Sequence, residues 1–207
     1  MSEIGGDIWI NTLEVGGIYP SIVGMRNPKD SWDKSDTTIR FDSWGNTDVT
    51  IGKKDMKLIQ TLIKAGSEHR KFLRQIQVWA NVAMPRYIWQ ELDTYKFGTK
   101  NSCSTMHTLF KKPITVNNFY FGKDPIVMTV NHFELDVIPK LNQFRELYLR
   151  DKDYRWIIEM KRMLPENFIQ CRTWNTNYEE IRNIYHQRKN HRLEDEWGDV
   201  FVEWVKS

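Results

Sequence analysis

Between Gln75 and Met84 the apolar residues fall on alternate positions, Ile76, Val78, Ala80 and Val82; after Pro85 they switch to helical spacing at Tyr87, Ile88, Leu92 and Tyr95. A period of two signals a strand with one buried face, and a proline stands where helices like to begin. The segment reads as strand, short turn, helix, and the rest of the fold has to be built around that unit.

Residues 8–15 are strand-like, and residues 38–41 and 49–51 are short extended runs flanking a turn at Trp44-Gly45-Asn46. The polar stretch 27–38 reads as a surface loop or a lid. Residues 54–65 carry Met56, Leu58, Ile59, Leu62 and Ile63 at helical spacing and end at Gly66, a natural C-cap residue. Two amphipathic helices follow at 133–150, interrupted by Pro139, and at 154–163, ended by Leu164-Pro165. Residues 168–174 are extended. Asn177, with Glu180 three positions on, forms a capping pair ahead of Ile181, Ile184, Tyr185 and Arg188. A last helix holds Trp197, Val200, Phe201 and Trp204. The expected class is α+β, one domain over residues 1–207, with a small, mostly antiparallel sheet among several helices.

Composition narrows the functional classes. Thirty Lys and Arg against 27 Asp and Glu leave a net charge of +3, too mild to demand a polyanion, so nucleic acid is not an expected partner while a small anionic ligand fits. The apolar runs fall far short of the roughly 20 residues of a spanning helix. Residues 1–7 lack the basic and apolar regions of a secretory signal, so a cytoplasmic protein is expected. Cys103 and Cys171 lie 68 positions apart and form no CxxC pair, which argues against a zinc site or a disulfide framework; both are expected as reduced thiols.

The densest chemistry lies in residues 98–107, Gly-Thr-Lys-Asn-Ser-Cys-Ser-Thr-Met-His. Many donors and few apolar anchors suit either an ordinary polar loop or one that wraps a polar ligand. This segment resembles the signature of the flavin-dependent thymidylate synthases: Arg-His-Arg, two residues, Ser, one residue, Asn-Glu, one residue, Ser, one residue, Arg-Tyr. Laid without gaps from Thr94, the pattern puts Lys96, Thr99, Asn101 and Ser104 on its Arg, Ser, Asn and Ser. Thr94 and Tyr95 stand in place of Arg-His, Ser102 in place of Glu, and Met106-His107 in place of Arg-Tyr. Glu68-His69 lies where that family has a Glu-His pair upstream. Leu164-Pro165, Trp174, Asn177, Asn183, Arg188 and Glu196 follow at the spacing of the family's C-terminal pattern.

The resemblance implies an FAD enzyme that methylates dUMP, or a similar pyrimidine deoxynucleotide, reductively at C5. Methylenetetrahydrofolate and NADPH would be co-substrates, and the sites would form between the subunits of a homotetramer. It assigns His69, Lys96, Thr99, Asn101, Asn177 and Asn183 to the flavin. Arg86, Gln90, Ser104, Lys161, Arg162 and Arg188 go to the nucleotide, with Arg188 and Ser104 at the reacting centre. Chemistry agrees in part: an Asn amide offers donor and acceptor to a flavin's mixed edge, and a fixed arginine stabilises charge on an activated ring. Without the resemblance, Asn177 is an N-cap, Asn183 is solvated and Arg188 is a surface cation. Ser104 is expected to bind rather than attack, since a hydroxyl without a neighbouring base is a poor nucleophile. Two alternatives stand beside this: a flavin-dependent hydroxymethylase of another pyrimidine nucleotide, and a non-catalytic nucleotide- or nucleic-acid-binding homologue.

Overall fold

A computed structural model describes residues 4–43 and 47–207; the turn expected at Trp44-Gly45-Asn46 and residues 1–3 lie outside the described residues. In chain order the elements are β1 (Trp9–Gly16), α1 (Ile18–Arg26), β2 (Thr38–Phe41), β3 (Thr47–Thr50), α2 (Lys53–Ala65), β4 (Gln77–Pro85), α3 (Arg86–Leu92), β5 (Thr99–Ser102), α4 (Thr105–Thr108), α5 (Val127–His132), α6 (Ile138–Asp151), α7 (Tyr154–Met163), β6 (Ile169–Asn177), α8 (Tyr178–Arg188) and α9 (Glu203–Lys206). Wide π-helical turns occupy Phe133–Val137 and Glu194–Val202.

Four strands form one antiparallel sheet in the order β1-β4-β6-β5, and β2 and β3 make a separate pair. The strand with the strictest alternation, β4, lies inside the sheet, paired along one edge with β1 and along the other with β6. Ala80, Val82, Trp174, Trp89, Ile184, Trp197 and Phe201 form the core between its buried face and α3, α8 and the C-terminal turns. Trp89 donates its indole N–H to the Gln170 carbonyl at 2.7 Å, so the buried ring leaves no orphaned donor. A second core joins α6 and α7 through Leu141, Ile157 and Met160, and a third joins α1 and the 71–76 segment through Ile22, Phe72 and Ile76.

Pro85 ends β4 and caps α3, whose first free N–H groups, on Arg86 and Tyr87, donate to the carbonyls of Phe168 and Glu166. The helix stops at Leu92 rather than running to Tyr95. The side chain of Lys100 donates to the carbonyl of Leu92, the last residue of the helix, and to that of Tyr95 beyond it, so the chain can turn into β5.

The 98–107 segment is not a loop. Residues 99–102 pair with β6 as an edge strand and 105–108 make one helical turn. An edge strand half open to solvent needs no apolar alternation, which is why its sequence hides it. Gly98, at φ +143°, is required here, because a Cβ would meet the Asn175 carbonyl at 2.5 Å.

The helix expected from 133 begins at Val127. Its π turn comes just before Pro139, which sits in the first turn of α6, where its missing N–H is harmless. The last helix expected around Trp197 is mostly π-wound, and only 203–206 is α-helical. The polar stretch 27–38 is exposed in part but pinned: Arg26 donates to the Ser31 and Lys34 carbonyls, and Ser35 and Thr37 donate to Asp55. Among the described residues, no helix is long and apolar enough to cross a membrane.

Candidate functional site

The strand β6 organises the predicted site residues, and it spreads them along its length. At its C-terminal end Asn177 caps α8, its side-chain oxygen accepting from the Glu180 N–H at 3.0 Å. The capping pair read from the sequence is thus present, and the Asn177 carbonyl oxygen is occupied by it. On α8, the Asn183 oxygen accepts from Gln187 at 2.9 Å, a bond in which the Asn183 amide nitrogen takes no part. His69, exposed beside Glu68, lies in the turn whose Arg70 pairs with Glu179, one helical turn before Asn183.

Arg188 faces inward. It donates to the Tyr95 hydroxyl at 2.9 Å and pairs with Glu91 at 2.7 Å, and its guanidinium carbon lies 4.6 Å from the Trp197 ring centroid. Tyr95 donates in turn to Gln187 at 3.1 Å, and Thr176 donates to the Phe97 carbonyl. The segment leading into β5 and the helix carrying Arg188 therefore touch within one chain. Sequence reasoning missed Glu91 and Tyr95 as the groups that hold Arg188. Tyr95 occupies the motif's His position, the one signal available beforehand.

At the other end of β6, some 27 Å away at about 3.4 Å per residue, a second group gathers. Arg86 donates to the Leu164 carbonyl at 2.9 Å and pairs with Glu166 at 3.4 Å; Gln90 donates to Glu166 at 2.9 Å. Lys161 and Arg162 lie on the last turn of α7, just before Leu164, with Arg162 exposed and paired to Glu159. Between the two groups runs β5. Thr99 lies opposite Asn175 and Asn101 opposite Thr173, both exposed, and Ser104 follows two residues past the end of the pairing. Lys96, also exposed, donates to the Asp93 carbonyl. Among the described residues no hydrogen bond joins the Ser104 hydroxyl to His107 or His69. One polypeptide thus brings His69, Asn177 and Asn183 to one end of a track and Arg86, Gln90, Lys161 and Arg162 to the other, with Thr99 and Asn101 between them.

Two features lie outside this set. Tyr87 donates to Glu196, and Tyr120 to Asp195 at 3.3 Å; burial first and the acidic partners second push both phenols far above their ordinary range, so they stay protonated donors. A cleft of about 730 Å³ opens between Val15, Ile63, Ile181, Tyr185 and Trp204, on another face of α8, and takes none of the predicted residues.

No protein-family model matches the sequence, nor does any curated protein. Solved structures do. The flavin-dependent thymidylate synthase ThyX of Helicobacter pylori, complexed with FAD and dUMP, superposes with a TM-score of 0.71 at 16% identity, covering 96% of this chain and 92% of its own. A second structure of that enzyme with FAD and dUMP gives 0.72 at 15% identity, covering 97% and 92%. The UMP/dUMP methylase PolB of Streptomyces cacaoi, bound with 5-Br UMP, gives 0.57 at 11%, covering 88% and 78%. The chain has the α+β fold seen in these proteins.

Proposed function

Proceeding from that shared fold, we propose that the protein is a flavin-dependent enzyme that methylates a pyrimidine deoxynucleotide at C5, with dUMP as the substrate to test first. The observation that carries this is the contact of Tyr95 with Arg188 and Gln187, which joins the two sequence segments that resemble the family. The donor set suits FAD: exposed hydroxyl and amide groups on Thr99, Asn101 and Asn183 for a mixed donor and acceptor surface, His69 near the start of α8, and the Lys96 cation for a phosphate. Asn177 would contribute through its amide nitrogen, since its oxygen caps the helix.

When bound, FAD supplies hydride chemistry that no side chain offers, with NADPH as reductant and methylenetetrahydrofolate as the one-carbon source. The chain's own residues bind and orient. Arg86, Gln90, Lys161 and Arg162 supply charge and amide contacts for the nucleotide, and the Ser104 hydroxyl, with no base hydrogen-bonded to it, binds rather than attacks. Arg188 stands ready to stabilise negative charge on an activated pyrimidine once its pairing with Glu91 opens.

The separation of the two residue groups along β6 favours sites completed by a neighbouring subunit, in a homotetramer. The exposed apolar run Ile126, Val127, Met128 and Leu135 offers a surface for such contacts. Protein incubated with FAD, NADPH and methylenetetrahydrofolate should convert dUMP to a product heavier by one CH2 unit, read by mass spectrometry. Sedimentation should give four chains per particle.

One observation favours a second reading. Arg188 is closed in by Glu91, Tyr95 and Trp197, and Ser102 replaces the motif's Glu, an arrangement that suits a nucleotide-binding homologue without turnover. A protein that binds dUMP but remains colourless after added FAD would select it.

A further inference from the structure

The two cysteines are far apart in sequence and side by side in the fold. The β5–β6 register pairs Ser102 with Arg172, and one step further sets Cys103 opposite Cys171, whose carbonyl accepts the Cys103 N–H at 2.9 Å. Opposite, hydrogen-bonded residues of an antiparallel pair point to the same face, with Cα atoms about 5.5 Å apart, inside the roughly 4.4–6.8 Å that a disulfide spans. Both residues are exposed and both are free thiols. On its other side Cys171 pairs with Ala83 of β4.

We infer that Cys103 and Cys171 form a reversibly oxidisable dithiol that closes a cross-strand disulfide between β5 and β6. The co-reactant is a low-molecular-weight disulfide such as oxidised glutathione. One cysteine thiolate attacks it, forming a mixed disulfide and releasing one small thiol. The other cysteine, losing its proton, then displaces the second small thiol and completes the protein disulfide. Two protein thiols are oxidised and one small disulfide is reduced to two thiols. Burial, and then the charge of Cys103 beside it, push the Cys171 thiol up, which suits Cys171 to the second, intramolecular step.

The bond would staple a four-residue edge strand to its neighbour two positions from Asn101 and next to Ser104. Exposure keeps it open to reduction, as expected of a transient disulfide in a reducing compartment. The inference rests on register and exposure and stands whether or not the protein is an enzyme.

The full-length protein, incubated with oxidised glutathione and then alkylated, is weighed intact. The expected result is loss of both alkylation sites together with no retained glutathione, reversed by dithiothreitol, while Cys103→Ser and Cys171→Ser each retain one glutathione. Two glutathiones on the parent, two thiols still open to alkylation, or a disulfide-linked dimer on a non-reducing gel would each overturn it.

Discussion

Arg26 and Arg188 are both arginines at the end of a helix, and both pair with a carboxylate, yet the two pairs do different things. Arg26 is 5% exposed and Asp55 fully buried. Every direction around them is filled by local chain: the Ser31 and Lys34 carbonyls accept from the guanidinium, and Ser35 and Thr37 donate to the carboxylate. Arg188 is 16% exposed and Glu91 30%, and part of the arginine's surroundings is aromatic, from Trp197 and Tyr95. A charge enclosed by hydrogen bonds on all sides is a fastening. One held by a partly solvated carboxylate, a phenol hydroxyl and two ring faces can exchange its carboxylate for an anion of similar shape.

Asp55→Ala should break the first pair most severely, leaving Arg26 buried and unpaired, at a cost of about 3–5 kcal/mol in urea unfolding. Acid attacks the same place. Burial raises the Asp55 carboxyl, but the bonds from Ser35, Thr37 and Arg26 outweigh it and hold the group below its ordinary value of 3.8. A depressed folded-state value means that its stabilisation is complete above the ordinary value and is lost as pH falls through the folded one. Unfolding followed from pH 7 downward should show the parent losing stability below about pH 4, and Asp55→Asn should flatten that part of the curve.

At the second pair, Glu91→Gln should cost only about 1–2 kcal/mol, because the carboxylate is partly solvated. It should also tighten dUMP binding by freeing Arg188; equal titration curves for variant and parent would show that the pair is merely structural. Arg188→Ala should weaken dUMP binding, measured by calorimetry, about tenfold or more, the range of a lost charged hydrogen bond. The smallest effect on stability belongs to Asn183→Ala, which should leave the unfolding midpoint unchanged and lower FAD retention on gel filtration.

Much of the fold was legible because local pattern and tertiary demand agreed. The alternation in β4, the proline that opens α3, the Gly66 stop after α2 and the Asn177 cap all state in a few residues what the backbone does. β5 was not legible as a strand. Its stability comes from pairing with β6, a partner some seventy positions away, and its own residues are polar because one edge faces solvent. The π turns escaped for a related reason: a residue inserted into a helix leaves hydrophobic spacing nearly intact and shows only in the hydrogen bonds.

The site divides in the same way. The resemblance to a family pattern, read from residue types and their order, makes Asn101, Asn183 and Arg188 candidates, because amides and guanidinium groups carry their chemistry wherever they stand. Only the folded chain determined that Glu91 and Tyr95 clasp Arg188, that Arg86 and Asn177 lie at opposite ends of one strand, and that two distant cysteines are neighbours. Those relations depend on strand register and helix packing, which are settled by non-local hydrogen bonds and burial and so leave no mark in any short stretch of sequence.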